Sequence, residues 1–452
     1  SSIETDYLTT FDRKRRVRMS KLILNVDDRH FFDELLAGRT PATSRRSHQL
    51  LVAAKKLAES HVRTITRPLA EPDQPDILNN WLEFLEHNAS VILVEAQDGS
   101  QAFKMFETLN DRGLKTSQAD LVKSYLFGQS STRVDECLSK WSSIKDNLEA
   151  LSDDDREIAF LRHALIASRQ FLRTAEIYDF CQRNVRGESN AVAFISELER
   201  LSRSYVATFS HSASHGVPYS ATARRALEAF NRFNIKPARP LILAAAATLT
   251  PQLFERVMSL VLSLSVRLVV AGSTRSETNE RAFATTASAI TKGELTTFAQ
   301  IKESLKPIIV GDQEFRDAFS RLRVSKAELA RYYLRALEAK NADDSEPWYV
   351  ANDDPTAMTL EHVLPQNPQG VASPTDVEMH ARSYKLLGNV CILNRSANSD
   401  LGNMDFEAKS KALKNSPYAL TAEIAKNSQW TISEIEKRQR RLAELAVKTW
   451  PA

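Results

Sequence analysis

From residue 131 to residue 325 the chain carries one helical pattern after another, and this constrains its fold more than any other feature. Apolar residues recur at helical spacing over Glu157–Ser168, Val192–Tyr205, Ala223–Asn234, Leu253–Val270 and Ala299–Lys306. The interruptions, at 184–190, 210–220, 236–240 and 272–279, are polar or contain Gly or Pro. With only 12 glycines and 16 prolines in 452 residues, helix should dominate. No fixed period relates the segments, so a solenoid is not implied. Leu253–Val270 is the most apolar of them, yet Glu255, Arg256 and Arg267 within it mark a buried core helix rather than a membrane span.

The flanks read differently. Before residue 131, Leu50–Ala58 has a helical stripe, and Ser90–Glu95 is a short β-branched run closed by the turn-like 97–100. Ala102–Leu109 reads as a helix broken by Asn110-Asp-Arg-Gly113, and Thr116–Asp120 as the N-cap and first turn of Leu121–Phe127. After residue 325 come a helix over Lys326–Lys340, an acidic loop-like stretch at 341–347, and a closing helix over Ile432–Trp450. A chain of this length suggests about 2–4 domains. The expected division is 1–130, a helical middle at 131–325, and 326–452.

Net charge is only +3, which excludes a uniformly basic wrapper of nucleic acid but leaves room for a local basic groove. Cys137, Cys181 and Cys391 lie far apart with no C-x-x-C pair, so neither a disulfide framework nor a zinc knuckle is implied. A reducing cytoplasm fits, with no signal peptide and no membrane partner. His211 and His215 stand four residues apart in a Ser-rich loop without Cys or acidic neighbours, which reads as a turn.

The chemistry-bearing region is Thr359-Leu-Glu-His-Val-Leu-Pro365, followed by Leu387-Gly-Asn-Val-Cys-Ile-Leu-Asn394 and Asn398-Ser-Asp-Leu-Gly-Asn403. Glu361 and His362 are adjacent, so in a regular strand they point to opposite faces. Both serve one site only where the strand ends, and Pro365 supplies that ending. Val390–Leu393 reads as a second strand and 405–413 as a helix. Two strands and a helix, with a carboxylate, an imidazole and asparagines at their ends, can hold Mg²⁺ or Mn²⁺ against a phosphodiester. In this reading Glu361 and Asn398 offer oxygen ligands, with Asn403 as the alternative to Asn398. His362 takes the proton of the attacking water. Asn389 ties the loop to the second strand. Lys409, Lys411, Lys437, Arg438, Arg440 and Arg441 are candidate phosphate contacts.

These residues resemble the HNH (ββα-metal) nucleases. More specifically, 360–450 is similar to the GmrD-like domain, with its E-H-x-x-P, L-G-N, Asn398–Asn403 run, Phe406 and closing Trp450. Phe106–Lys123 resembles a segment of the ParB-related GmrS-like domain. Together these are the two parts of GmrSD-type (type IV, modification-dependent) restriction endonucleases and related phage-defence nucleases. The resemblance implies a mainly α protein with a small HNH domain at the C-terminus. It implies an endonuclease acting on double-stranded, modified phage DNA, by nicking or cutting. Family members carry a D-G-Q-Q-R nucleotide motif that is absent here. The expectation is therefore that the N-terminal portion of the GmrS-like domain is missing and that this chain alone uses no nucleotide. Asn110, Arg112 and Gly113 would complete a nucleotide site only with that portion supplied; that portion or other defence-system proteins are the partners the resemblance implies. The competing expectation is a non-catalytic DNA-binding or regulatory protein with a degenerate HNH fold, or a sensor fragment inactive by itself.

Overall fold

A computed structural model describes residues 9–12, 16–24, 26–39, 41–43, 46–68, 74–90, 118–151, 155–209, 219–233, 235–273, 277–344, 358–365, 380, 383–394 and 404–452. The chain divides into two units, Ser1–Gly113 and Leu114–Ala452. The strand expected over Ser90–Glu95 and the helix over Ala102–Leu109 fall almost wholly outside the described residues, as do Asn110, Arg112 and Gly113.

The first unit opens with an antiparallel pair, β1 (Thr9–Asp12) and β2 (Val17–Ser20), in the register Thr9 to Ser20. Helices α1 (Val26–Leu36), α2 (Arg46–Thr66) and α3 (Gln74–Asn88) follow, α1 packing on α2 and α2 on α3. Phe31 and Leu35 are its buried apolar side chains, and the Phe31 ring stacks on His48 at 3.9 Å.

The second unit is built on helices. They are α4 (Gln118–Gln129), α5 (Val134–Leu148), α6 (Arg156–Ser168), α7 (Ile177–Asn184), α8 (Glu188–Ala207), α9 (Ala221–Phe233), α10 (Arg239–Thr248), α11 (Pro251–Val270), α12 (Glu277–Thr291), α13 (Phe298–Leu305), α14 (Asp312–Phe319) and α15 (Ala327–Asn341). Each of the five helical segments read from the pattern of residues 131–325 is present. The break expected at 236–240 separates α9 from α10 and is short. A short 3₁₀ turn at Lys236–Ala238 runs straight into α10, because Pro240 sits in the first turn, where a missing N–H costs no helical bond. Leu241, Ile242, Leu243, Ala244 and Ala245 of α10 are all buried, so this helix is central, packed on α12 and α6.

Helix α11 is the core helix its charges implied. Among the described residues no helix is long and apolar enough to cross a membrane. Arg267 on α11 is fully buried. Its Nε donates to Trp450 O at 2.7 Å, Nη1 to Val310 O at 2.7 Å and Nη2 to Asp312 Oδ1 at 2.6 Å. Its guanidinium carbon lies 4.7 Å from the centre of the Phe315 ring. One cation thus joins three separated stretches of chain. Trp450, also fully buried, completes the joint against Phe315, Phe319, Tyr332 and Tyr333.

The C-terminal part adds strands β3 (Met358–His362) and β4 (Val390–Asn394), helices α16 (Phe406–Lys414) and α17 (Ala419–Ala422), and the long α18 (Ile432–Thr449), which packs on α14 and α15.

Two expected outcomes follow from these buried groups. Replacing Arg267 with Met strands two carbonyls and a carboxylate, so stability in chemical denaturation should fall by roughly 3–5 kcal/mol. Asp312→Asn should cost less, since the Asp312 side chain is half exposed. The second concerns His163, buried and hydrogen-bonded through Nδ1 to Tyr205 Oη at 2.8 Å. Burial first, then the charges of Arg162, Arg239 and Lys236, lower its pKa from 6.5 to about 3. The unfolded chain therefore takes up a proton that the folded chain refuses. Stability from this group is complete above pH 6.5 and falls toward pH 3 by up to about 1.4 kcal/mol per pH unit. Denaturation series at several pH values should show a shallower acid dependence, by about one proton, in His163→Gln.

Candidate functional site

Strands β3 and β4 form an antiparallel ribbon in the register Met358 to Asn394, Glu361 to Cys391 and His362 to Val390. Helix α16 follows in the chain and covers it, so two strands and a helix occur in the expected order. The core between them comprises Val363, Cys391, Leu393, Leu413, Ile424, Trp430 and Ile435, with Leu364, Leu386, Phe406 and Ala412 against it. Asp405 caps α16, its Oδ1 accepting Ala408 N–H at 2.9 Å. Thr431 and Glu434 form the capping box of α18.

Asn389 fixes the end of β3. It is fully buried. Its Oδ1 accepts Leu364 N–H at 2.8 Å and the Trp430 indole N–H at 3.0 Å. Its Nδ2 donates to Leu364 O at 3.0 Å and Tyr384 O at 3.1 Å. Its backbone oxygen accepts Val363 N–H at 3.0 Å. The side chain therefore closes the ribbon where the ladder stops, the tying role its position in the sequence suggested. Beside it, Gly388 lies under α18: a Cβ there would stand 2.6 Å from Ile435 O and 3.0 Å from Gln439 Cβ.

His362 is half-buried at the last position of β3. Its ring centre lies 6.2 Å from that of Tyr384, which in turn stacks on His380 at 5.5 Å. His380 Nε2 donates to Pro365 O at 2.7 Å. Burial, and then the nearby Lys409 ammonium, hold the His362 imidazole below its ordinary pKa. It is therefore neutral at pH 7 and able to accept a proton.

Glu361 is turned inward, only 9% exposed. Lys409, 0% exposed, donates from Nζ to Glu361 Oε1 and, at 2.8 Å, to the backbone oxygen of His362. Burial raises the Glu361 pKa against the pull of Lys409. These contacts correct two sequence assignments. Lys409 is no phosphate contact, because it lies on the buried face of α16 with Leu413. Glu361 is not a free oxygen donor, because one of its carboxylate oxygens holds an ammonium.

Arg438 is a third correction. It is buried under β4, donating from Nη1 to Gly388 O at 2.7 Å and Val390 O at 2.9 Å, and burial lowers its pKa to about 10. Lys411, Lys437, Arg440 and Arg441 remain exposed. Arg441 pairs with Glu423, and Arg440 with Glu436 at 3.9 Å. Lys437, Lys426 and Arg441 line an open groove of about 280 Å³ over Trp430 and Glu423.

Asn398 and Asn403, the remaining expected oxygen ligands, lie outside the described residues. Among the described residues no three His, Cys, Asp or Glu side chains form a metal cluster. With Glu361 committed to Lys409, the described donors do not make a divalent-cation site by themselves.

Residues 309–445 match the family described as GmrSD restriction endonucleases, C-terminal domain. This part of the chain is thus similar to the GmrSD C-terminal domain, the resemblance its motifs carried, and the matched region takes in the ribbon, α16 and most of α18. The match opens ahead of residue 326 and does not reach the GmrS-like segment at 106–123. No curated protein matches the chain.

Removing the Asn389 side chain tests the closure of the ribbon. Asn389→Ala leaves Leu364 N–H and the Trp430 indole without acceptors. It should cost roughly 3–5 kcal/mol, at about 1–3 kcal/mol per buried unsatisfied group. Chemical denaturation with tryptophan fluorescence would measure it.

Proposed function

We propose that this chain is a metal-dependent endonuclease of a restriction system, cutting or nicking foreign, modified phage DNA, with His362 as general base. The observation that carries the reading is a half-buried imidazole, held below its ordinary pKa by burial, at the closed end of the β3–β4 ribbon, inside a region that matches a family of restriction endonucleases. A phosphodiester over the end of β3 would bring its attacking water to His362. The fixed backbone of residues 362–364 would hold the ring in one orientation while the proton is taken. Mg²⁺ or Mn²⁺ is the proposed cofactor, held by oxygen donors of the Asn398–Asn403 segment. Bound there, such an ion supplies charge neutralisation at the phosphate and at the departing oxygen. Lys411, Lys437, Arg440 and Arg441 are the remaining candidates for phosphate contacts. Modification sensing, any nucleotide use through Asn110, Arg112 and Gly113, and partnership with other defence-system proteins are assigned outside the nuclease unit. Three buried free cysteines suit a cytoplasmic setting.

One observation favours the competing reading of a non-catalytic DNA-binding protein: the Glu361 carboxylate already holds Lys409. Cleavage of supercoiled plasmid with Mg²⁺ or Mn²⁺ decides between them. Under the nuclease reading His362→Ala should reduce nicking by about 10²–10⁴-fold while DNA binding and melting temperature stay unchanged. Equal rates for wild type and variant, or no cleavage by either, would favour the non-catalytic reading.

A further inference from the structure

The peptide group linking His362 to Val363 is held at both ends. Its carbonyl accepts from Lys409 Nζ at 2.8 Å, and its N–H donates to Asn389 O at 3.0 Å. The next residue is held by the Asn389 side chain through both Leu364 N–H and Leu364 O. Beyond the β3–β4 ladder itself, the backbone beside His362 is therefore held by two residues, Asn389 from the turn before β4 and Lys409 from α16. Lys409 itself is aimed by Glu361, the residue before His362, through a bond that leaves the ammonium 0% exposed.

A buried ion pair is a poor device for stability alone. Desolvating both partners offsets the Coulombic gain, and apolar replacements of similar volume are often neutral or stabilising. What Lys409 supplies that Leu or Met cannot is a donor to the His362 carbonyl from the opposite side of the ribbon. We infer that Lys409 and Glu361 form a positioning clasp for His362, and that Glu361 serves this clasp instead of binding metal. The inference rests on the nuclease reading for the purpose of the clasp, while its geometry stands without it. Lys409 acts through His362 and touches no reacting atom.

The test uses the full chain and three variants: Glu361→Gln, Lys409→Met and the double variant. Lys409→Met alone strands a buried carboxylate and should melt well below wild type. Glu361→Gln keeps a neutral acceptor for Lys409 but removes its counter-charge, so it should melt below wild type and is assayed below that melting temperature. The double variant removes both charges and should fold. Three readouts are expected. Mn²⁺ affinity by calorimetry stays within about threefold of wild type in Glu361→Gln, short even of the 10–100-fold cost of disturbing a residue that orients a metal ligand. The ¹³C-labelled His362 imidazole resonance shifts or broadens in the double variant. Plasmid nicking by the double variant loses roughly 10²-fold in kcat with KM for DNA unchanged, the scale of a small misplacement of a reacting group.

A loss of tenfold or more in Mn²⁺ affinity for Glu361→Gln would tie Glu361 to the metal, as a ligand or as a residue orienting one, and overturn the inference. A wild-type His362 resonance in the double variant would reduce the pair to packing and overturn it equally. If wild-type protein cleaves no plasmid, the nuclease reading fails, and the resonance still decides whether the clasp exists.

Discussion

The β3–β4 ribbon pairs five residues with five, and an isolated two-stranded ribbon is marginal in water. Its geometry consequently depends on what is packed against its ends. Asn389 closes one end with four side-chain hydrogen bonds. Arg438 takes the carbonyls of Gly388 and Val390 from beneath, and Lys409 takes the carbonyl of His362 from α16. A buried carbonyl with no partner costs about 1–3 kcal/mol, and the places where ladder bonds run out are where such carbonyls would otherwise collect. Long cationic side chains are suited to this work, because each reaches several acceptors from a rigid helix. Their own burial is tolerable only because those acceptors are present.

The same device operates on a larger scale at Arg267. There one guanidinium satisfies Trp450 O and Val310 O and pairs with Asp312. Helix α18 is anchored at its C-terminal end by this joint and presses Gln439 and Arg438 against Gly388 near its start. Gly388 can have no side chain because Ile435 O and Gln439 Cβ occupy that space. Helix α18 therefore touches both the Arg267 joint and the turn that leads into β4.

Helical segments were legible because burial on one face writes a 3.6-residue period into the sequence. The ribbon was legible because Val390–Leu393 is a short apolar run and Pro365 stops its partner. The β1–β2 pair left no comparable mark, since Phe11 and Val17 are exposed and no apolar alternation records which face is inward. Basic residues were misread for a related reason. Lys409 falls on the stripe of Phe406, Ala412 and Leu413, and Arg438 on that of Ile435, Leu442 and Ala446. A lone cation at a core position of an amphipathic helix signals an interior acceptor. Counting charge near the site ignores that signal, while placing each charge on its helix face recovers it. Glu361 was read by its neighbour His362, but its partner lies 48 residues along the chain, and nothing local names it.

The inward cations also change what electrostatics can contribute to binding nucleic acid. Of the six basic residues read from the sequence as phosphate contacts, Lys409 and Arg438 are interior, while Arg440 and Arg441 face Glu436 and Glu423. Each phosphate neutralised contributes roughly −0.9 to the slope of log affinity against log salt on duplex DNA. The positive charge offered near His362 thus supports a smaller salt dependence than the sequence count suggests. The interior cations serve backbone carbonyls, Lys409 that of His362 and Arg438 those of Gly388 and Val390.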